Sequence, residues 1–456
     1  MNIFDTTIIE KHDSLNKNAK AFNPTLRYKD EGNKRFQEAL RYIHSWYNHQ
    51  KYLAEAKSKT VRAKQTKVII KQQTIVESIL ANFLFHKGKP LSISLSKRIL
   101  DVEDRYRPKW LTYPNFKAVI KILSSPEIDI IKVTKGKAVK IIDWDWDNKE
   151  ANETFKKLTS IIELTERGKT FLKTMDKSNL YREYCETIQL RERNKFKDRY
   201  LLQYADTDLT ERMRTEMETI NSYLKDIIIE HFDEGELPAS ALYRVFYNDF
   251  KSHGRLYGGS WYNLKKENRL DMSVFRLSND AHFRVLELDF RACSLSILAN
   301  LNNQPLLDPE IDPYQAGVLS KYQREGIKEL INAYLSHPSM TRYPKYVRNK
   351  LGNNIPELAV VLNEVFSVYP YLKDLELDPT MIESEIVVKV MIRCIEASLV
   401  ALPFHDALFV ADEHQNSIET IIKEVSTEIT GYPLFYGIKA YDPFKHKEVT
   451  ISHYSA

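Results

Sequence analysis

Residues 285–301 join three features that restrict the folds open to this chain: a buried strand, one acid and an apolar helix. Residues 285–288 predict a buried strand, and Asp289 supplies a carboxylate at its end. The apolar run at 295–301 follows almost at once and predicts a helix. An acid placed between the end of a strand and the start of a helix can bind a metal ion at the end of a sheet.

A second acid of the same kind lies in residues 399–411, which read as two apolar strands joined by a tight turn that carries His405 and Asp406. Asp289 and Asp406 are far apart in the chain, so folding alone could bring them together. Paired aspartates can bind two Mg²⁺ ions about 4 Å apart, which activate a 3′-hydroxyl and stabilise a leaving pyrophosphate. Carboxylate oxygens suit Mg²⁺ or Mn²⁺.

Between the two acids, Arg324, Lys328 and Asn332 recur every four residues and therefore share one helix face. An arginine and a lysine on one face can hold a triphosphate, the arginine by its fork and the lysine as a point charge. The alternative is a solvated surface helix.

Glycines and aromatic residues are concentrated around Arg255, in residues 253–264. Gly258 and Gly259 let the backbone approach another surface closely. Trp261 and Tyr262 could stack on bases, or they could be core aromatics beside a turn.

The overall composition permits a nucleic-acid partner without requiring one. The chain has 456 residues, 43% hydrophobic and 28% charged, with a formal net charge of +5, so we expect about three soluble domains. Its three cysteines form no Cys-x-x-Cys pair, which argues against a disulfide framework or a zinc site. The sequence shows neither a signal peptide nor an apolar run near the ~20 residues of a membrane span. It therefore favours a cytoplasmic protein without a membrane partner.

Residues 1–88 are expected to form a helical N-terminal region, because breakers are few and apolar positions recur. A basic run lies within it, at Lys57, Lys59, Arg62, Lys64, Lys67 and Lys71. Two interpretations stay open: a solvated helix face, or contact with nucleic-acid phosphates.

Residues 89–173 predict a helix, a second helix and a short hairpin in succession. Thr112 is a candidate N-cap for the second helix, at 112–123, and two β-rich segments follow at 128–142. This order resembles a winged helix, and Leu-Thr-Glu-Arg-Gly at 164–168 resembles the LTxxG segment often seen in such modules. Because winged helices bind DNA and also dock proteins, either role is open. Residues 174–249 are expected to be a charged helical linker.

Several segments, in order, resemble the family A DNA polymerases. Residues 289–301, DFRACSLSILANL, are similar to their motif A, whose common form is DYSQIELRILAHL. Residues 404–410, FHDALFV, are similar to motif C, VHDEIVF, and the helix that starts at Arg324 looks like a shortened motif B. Residues 254–269 and the Asp-Pro-Tyr at 312–314 look closer to single-subunit phage RNA polymerases and to polymerase-like primases of mobile elements.

This resemblance implies roles for the matched residues. Asp289 and Asp406 would bind the metal ions, with the carbonyl of Phe290 as a further ligand, and His405 would approach the primer-end phosphate. The implied nucleotide-binding residues are Arg324 and Lys328 at the triphosphate, and Asn332, Tyr334 and Ser294 towards the base or sugar. The implied template or primer contacts are Arg255, Tyr257, Trp261 and Arg269.

The sequence also departs from the family A pattern. Ser294 stands where those DNA polymerases carry a glutamate that blocks the ribose 2′-hydroxyl, so we expect ribonucleotides to be accepted. Ala407 replaces the acid that often follows the motif C aspartate, and Asn332 replaces an aromatic of the fingers helix. The first 250 residues show no exonuclease-like set of acids, so proofreading is not expected.

Together these features predict an α+β fold, a right-hand polymerase palm with helical fingers and thumb behind a mostly helical N-terminal region with a winged-helix-like module. The expected domains are 1–88, 89–173, a thumb-like linker at 174–249, and palm and fingers at 250–456. The expected function is a template-directed nucleotidyltransferase, a primase or primase-polymerase that acts on DNA in the replication of a mobile element. Two alternatives stay open: a primer-dependent DNA polymerase that uses dNTPs alone, and a non-catalytic DNA-binding replication initiator. The expected partners are a DNA template or primer-template, nucleoside triphosphates and, from the resemblance, a helicase or single-strand-binding subunit.

Overall fold

Two units, each with its own sheets and helices, make up the described chain. The structure is a computed structural model that describes residues 18–29, 38, 41, 59–100, 104–136, 138–145, 150–157, 159–193, 199–266, 269–276, 281–306, 308, 311–352, 355–373, 377–442 and 447–455. Unit 1 comprises Met1–Glu186 and Glu236–Ala241, and unit 2 comprises Thr187–Gly235 and Leu242–Ala456. Both units mix helices with largely antiparallel sheets, so the expected α+β class is confirmed.

The described part of unit 1 contains one long helix, three shorter helices and several short sheets. Its elements are β1 Lys20–Ala21, β2 Leu26–Tyr28, α1 Lys59–Phe85, β3 Leu91–Ile93, α2 Lys97–Leu100, α3 Tyr113–Leu123, β4 Ile131–Thr134, β5 Ala138–Asp145, β6 Glu150–Lys157, β7 Ser160–Leu164, α4 Glu166–Leu172 and β8 Leu180–Arg182. The main sheet has the order β1-β3-β7-β4, and separate pairs join β2 to β8 and β5 to β6.

One hydrophobic core joins α1 to the elements that follow it in unit 1. Ile75, Ile79 and Phe83 of α1 are fully buried in the same cluster as Phe116 and Val119 of α3. The expected boundary between residues 88 and 89 therefore does not separate two cores. Residues Lys67–Phe85 are long and apolar enough to cross a membrane, but 56% of that stretch is buried inside the protein.

The structure corrects the strand pairing expected at 128–142. The segments on either side of Lys135 and Gly136 do not pair with each other, because β4 pairs with β7 and β5 pairs with β6. Alternation of apolar residues predicts strands but does not identify their partners, and the partners here lie further along the chain. Residues 30–58 of the expected helical region, including Lys57, lie almost wholly outside the described residues, whereas α1 confirms a helix from Lys59 onward.

The expected helical linker at 174–249 is wrong over much of its length. Strands occupy Leu180–Arg182, Ile188–Arg193 and Arg199–Leu201, and a single long helix follows at Asp208–Leu224. That helix is amphipathic, with Met213, Met217, Ile220 and Leu224 buried. The long-range pairing of Ile188–Arg193 with Tyr243–Tyr247 stabilises a strand that its charged sequence does not predict.

The described part of unit 2 holds an extended sheet, a smaller sheet and several helices. Its elements are β9 Ile188–Arg193, β10 Arg199–Leu201, α5 Asp208–Leu224, β11 Ile227–His231, β12 Gly235–Glu236 (at the junction of the two units), β13 Tyr243–Tyr247, β14 His253–Tyr257, β15 Met272–Arg276, β16 Ala281–Phe290, α6 Cys293–Leu301, α7 Arg324–Ser336, α8 Lys345–Leu351, α9 Leu358–Val368, α10 Pro379–Glu396, β17 Ala401–Phe404, β18 Ala407–Ala411, α11 Gln415–Thr430, β19 Tyr436–Asp442 and β20 Lys447–Ser455.

Strand β16 is the centre of the extended sheet. Its first half pairs with β15, and its second half pairs with β18 on one side and with β19 on the other. All three neighbours are antiparallel. Leu286, Leu288 and Phe290 are buried, whereas Glu287 and Asp289 between them are only partly buried. Since side chains alternate between the two faces of a strand, the acids share the face opposite the core.

The helices α7, α8 and α9 pack into a separate apolar cluster within unit 2. Gly326 allows α7 to lie directly against α8, because a Cβ at this position would come within 2.4 Å of the Leu351 Cα. The buried face of α7 includes Ile327, Leu330 and Ile331. This packing therefore fixes the direction in which the remaining face of α7, which carries Arg324, points.

Candidate active site

The two predicted acids lie side by side where β16 ends and β18 begins in the extended sheet. Asp289 is the penultimate residue of β16, and Asp406 lies in the tight turn between β17 and β18. Asp289 is opposite Ala407 in the strand register, and the Phe290 N–H donates a 3.0 Å hydrogen bond to the Asp406 carbonyl. The predicted strand, hairpin and turn are confirmed, and main-chain hydrogen bonds hold the acids together.

His405 shares the turn with Asp406 and has a left-handed backbone, with φ of 54°. Its ring packs edge-on against Tyr257 at 5.7 Å and Tyr262 at 5.4 Å between ring centroids. Burial, with help from Arg255 and Arg269, lowers the pKa of His405 to about 4. The imidazole is therefore neutral near pH 7, and its Nδ1 has no hydrogen-bond partner among the described residues.

A cleft of about 940 Å³ opens over these acids within unit 2. The predicted site residues that line it are Arg255, Tyr257, Asp289, Phe290, Ser294, Arg324, Lys328, Asn332, His405 and Asp406. They come from β14, β16, α6, α7 and the β17–β18 turn, which are distant in sequence. The structure thus brings most of the predicted set into one concave site.

The exposed face of α7 forms one wall of the cleft. Arg324, Lys328 and Asn332 line the cleft, and Ser336 continues the same four-residue spacing. The Arg324 guanidinium contacts the Asp312 carboxylate and lies 5.4 Å above the Tyr314 ring. The Asp-Pro-Tyr segment therefore supports the arginine that was predicted to bind a triphosphate.

The electrostatics of the cleft depend on Asp406. Burial raises the pKa of Asp406, and the nearby Asp289 carboxylate raises it further, whereas Arg255 and Lys328 lower it. Because two adjacent carboxylates repel each other, ionising both is costly unless positive charge lies nearby. Arg255 of β14 and Lys328 of α7 supply part of that positive charge.

These acids fit a divalent cation by their chemistry. Mg²⁺ prefers oxygen ligands and is commonly held by one or two carboxylates together with substrate phosphates and water. Asp289, Asp406 and the carbonyl of Phe290 offer such a set. Among the described residues, no group of three or more His, Cys, Asp or Glu side chains is placed to hold a metal ion. The protein itself thus offers two carboxylates and one carbonyl, a partial ligand set for such an ion.

Arg255 forms an ion pair with a buried acid that the sequence did not reveal. Glu383 of α10, which is 1% exposed, accepts from Arg255 Nε at 2.6 Å and from the terminal nitrogen at 2.8 Å. Burial raises the pKa of Glu383 to about 7, and the bond to Arg255 opposes this rise. A bidentate pair fixes the direction of the arginine, so Arg255 is held at the cleft in one orientation.

Aromatic rings follow one another along the β13–β14 side of the cleft. The Tyr247 and His253 ring centroids are 4.9 Å apart, and the His253 and Tyr257 rings stack at 5.9 Å. Gly254 between them has φ of +68°, and a Cβ there would come within 2.4 Å of Ser384 Oγ. Glycine thus lets β14 lie close to α10. We call Tyr247, His253 and Tyr257 the aromatic wall.

Three predicted site residues do not line the cleft. Trp261 is fully buried and donates from its indole nitrogen to the Pro403 carbonyl at 2.9 Å, so it has no face to offer a base. Tyr334 is 7% exposed and packs on Phe366, because it lies on the core face of α7. Arg269 lies 3.9 Å above the Phe404 ring, where it supports the hairpin.

Sequence reasoning missed several residues of the cleft. Ser336 could have been found by extending the four-residue spacing on α7. Tyr247 and His253 lie before the segment that carries the resemblance to polymerases, and Lys439 lies on a strand that no motif marked. Their places depend on strand pairing, which local sequence does not encode.

No protein-family model matches this chain, and a search of curated proteins finds no significant match.

Proposed function

We propose that this protein is a template-directed nucleotidyltransferase with a diverged family A palm, acting on DNA as a primase or primase-polymerase that accepts ribonucleotides. One observation carries the proposal. Asp289 and Asp406 lie side by side at the end of β16, and the same cleft is lined by the face of α7 that carries Arg324, Lys328 and Asn332. The order of these elements in the chain is the one that the resemblance requires.

Six of the cleft residues have stated roles in this proposal. Lys328 and Arg324 bind the triphosphate, and Asp289 with Asp406 holds the metal ions. Mg²⁺, when bound, makes the primer 3′-hydroxyl more acidic and stabilises the leaving pyrophosphate. Neutral His405 can accept or donate one hydrogen bond at the primer end. Ser294, which lines the cleft beside the acids, leaves space for a 2′-hydroxyl.

Unit 1 has features that favour a winged-helix-like module. Helix α1, strand β3, helices α2 and α3 and the strands from β4 to β7 occur in the winged-helix order, and β7 lies between β3 and β4. Lys117 and Lys121 lie on the exposed side of α3. This pattern supports nucleic-acid contact through phosphates, and a protein-docking role is the alternative.

The decisive assay measures Mg²⁺-dependent incorporation of labelled NTPs and dNTPs on single-stranded DNA, with and without a primer. We expect incorporation by the full-length protein and its loss in Asp289→Ala and Asp406→Ala. Activity that survives in both variants would sink the proposal. Incorporation of dNTPs alone, and only with a primer, would favour the primer-dependent DNA polymerase.

A second candidate function is a DNA-binding replication initiator that does not catalyse nucleotide transfer. The observation that favours it is the ammonium of Lys439, which lies 2.8 Å from an Asp289 carboxylate oxygen and neutralises this acid without a metal ion. Sequence-specific DNA binding without Mg²⁺ or Mn²⁺ binding would support this candidate over the polymerase.

A further inference from the structure

Lys439 reaches the candidate metal site from the strand beside β16. Its Nζ lies 2.8 Å from the Asp289 Oδ2 and 3.6 Å from the Glu287 Oε1. In the register of β16 and β19, Lys439 is directly opposite Glu287, and Gly437 is opposite Asp289. The glycine has no side chain, so the lysine can extend along the strand towards Asp289.

The three charged groups are partly shielded from water. The side chains of Lys439, Glu287 and Asp289 are 22%, 14% and 38% exposed. Charges interact more strongly in such surroundings than in bulk water. A divalent cation on Asp289 would lie within a few ångströms of the ammonium and would repel it. Glu287 offers the lysine a second carboxylate nearby.

We propose that Lys439 is a positioning residue that neutralises Asp289 when the site holds no metal ion and moves to Glu287 when a divalent cation binds. This inference rests on the metal site of the proposed function and adds that Lys439 and the cation compete for Asp289. The lysine weakens metal binding to the free protein, and Glu287 limits that weakening. The site therefore favours a cation that arrives with a triphosphate, whose own oxygens complete its ligands.

Titration of the full-length protein with Mn²⁺ alone, followed by electron paramagnetic resonance of the free ion, tests this competition without any nucleotide. We expect Lys439→Met to bind Mn²⁺ about tenfold more tightly, at the lower end of effects seen for groups around metal ligands. Glu287→Gln should bind it several-fold more weakly. In the Lys439→Met background, Glu287→Gln should have a much smaller effect, because the lysine through which it acts is absent.

The matched control is Lys423→Met, which removes an exposed lysine from α11 and should leave Mn²⁺ affinity unchanged. Asp289→Asn defines the signal that belongs to this site. Unchanged or weaker Mn²⁺ binding in Lys439→Met would overturn the inference, as would an equal effect of Glu287→Gln in both backgrounds. Absence of Asp289-dependent binding in the wild type would overturn it too.

The outcome is separable from that of the incorporation assay. If the variants shift Mn²⁺ affinity as expected but the protein incorporates no nucleotide, the proposed function fails and the role of Lys439 stands. If nucleotide incorporation depends on Asp289 but Lys439→Met leaves Mn²⁺ binding unchanged, the role of Lys439 fails and the proposed function stands.

Discussion

The main-chain N–H of Phe290 donates a 3.0 Å hydrogen bond to the carbonyl of Asp406. This bond joins the end of β16 to the turn that follows β17, and it fixes Asp289 beside Asp406 through the backbone. Side-chain replacements at either acid leave the bond itself in place. The two carboxylates can therefore be removed by mutation while the architecture of the sheet edge is kept.

Asp406→Asn is expected to stabilise the metal-free protein while it abolishes catalysis. Burial and the neighbouring Asp289 raise the pKa of Asp406 above the usual 3.8, so ionisation at neutral pH costs folding free energy that asparagine avoids. We expect a gain of about 1 kcal/mol, measured by thermal unfolding in EDTA. The gain should vanish below pH 3.8, where the folded and unfolded wild type are both protonated. Asp289→Asn, which loses the Lys439 pair, should show no gain; a less stable Asp406→Asn would contradict the prediction.

Ser294→Glu should suppress ribonucleotide incorporation by about tenfold or more relative to dNTPs, because a larger acidic side chain would occupy the space of the 2′-hydroxyl. Competition between NTPs and dNTPs on the same primed template measures the ratio. Ser294→Ala is the matched control and should keep the wild-type ratio. The proposed role of Ser294 in accepting ribonucleotides fails if the Ser294→Glu variant has the same NTP to dNTP ratio as the wild type.

Lys328→Ala should raise the KM for the nucleoside triphosphate by about tenfold, or about 1.4 kcal/mol, since it removes a cation from the cleft face of α7. Steady-state kinetics at saturating primer-template gives this value. Lys350→Ala is the control: this lysine on α8 pairs with Glu329 at 2.5 Å and does not line the cleft. Equal increases in KM for Lys328→Ala and Lys350→Ala would show that the net charge of the protein, and not the position of Lys328, determines the effect.

Tyr247→Ala should weaken binding of single-stranded DNA about tenfold, because stacking on a ring contributes ~1–3 kcal/mol per base. Fluorescence anisotropy of a labelled oligonucleotide measures this affinity, and Tyr247→Phe should retain it. Phe232→Ala removes a ring that is 85% exposed but lies outside the cleft, so it should bind as the wild type does. A loss of affinity in Phe232→Ala alone would move the DNA path away from the aromatic wall.

His405 should make the protein less stable in mild acid. Its pKa is about 4 in the folded chain, against 6.5 ordinarily, so the unfolded chain binds more protons between these values. Stability is therefore complete above pH 6.5 and falls as the pH drops towards 4, by roughly 2 kcal/mol for this partly buried ring. Melting temperatures of the wild type and His405→Gln across this range should converge in acid. Parallel curves would mean that the imidazole is not held neutral.

Local sequence was sufficient to predict the elements that present the candidate site residues. The alternation along β16, the His-Asp turn after β17 and the four-residue spacing on α7 depend on the periods of a strand and a helix, which neighbouring residues set. Asp289, Asp406, Arg324 and Lys328 could therefore be predicted together with the elements that present them.

Tertiary structure alone decided which elements pair and which faces are covered. Trp261 and Tyr334 matched motif positions, yet packing places them in the core, and β4 pairs with β7 although β5 follows it directly. Lys439 meets Asp289 only because β19 adds to β16 in one register. Such pairings join residues far apart in the chain, and their free energy comes from burial and hydrogen bonds that no short stretch of sequence contains.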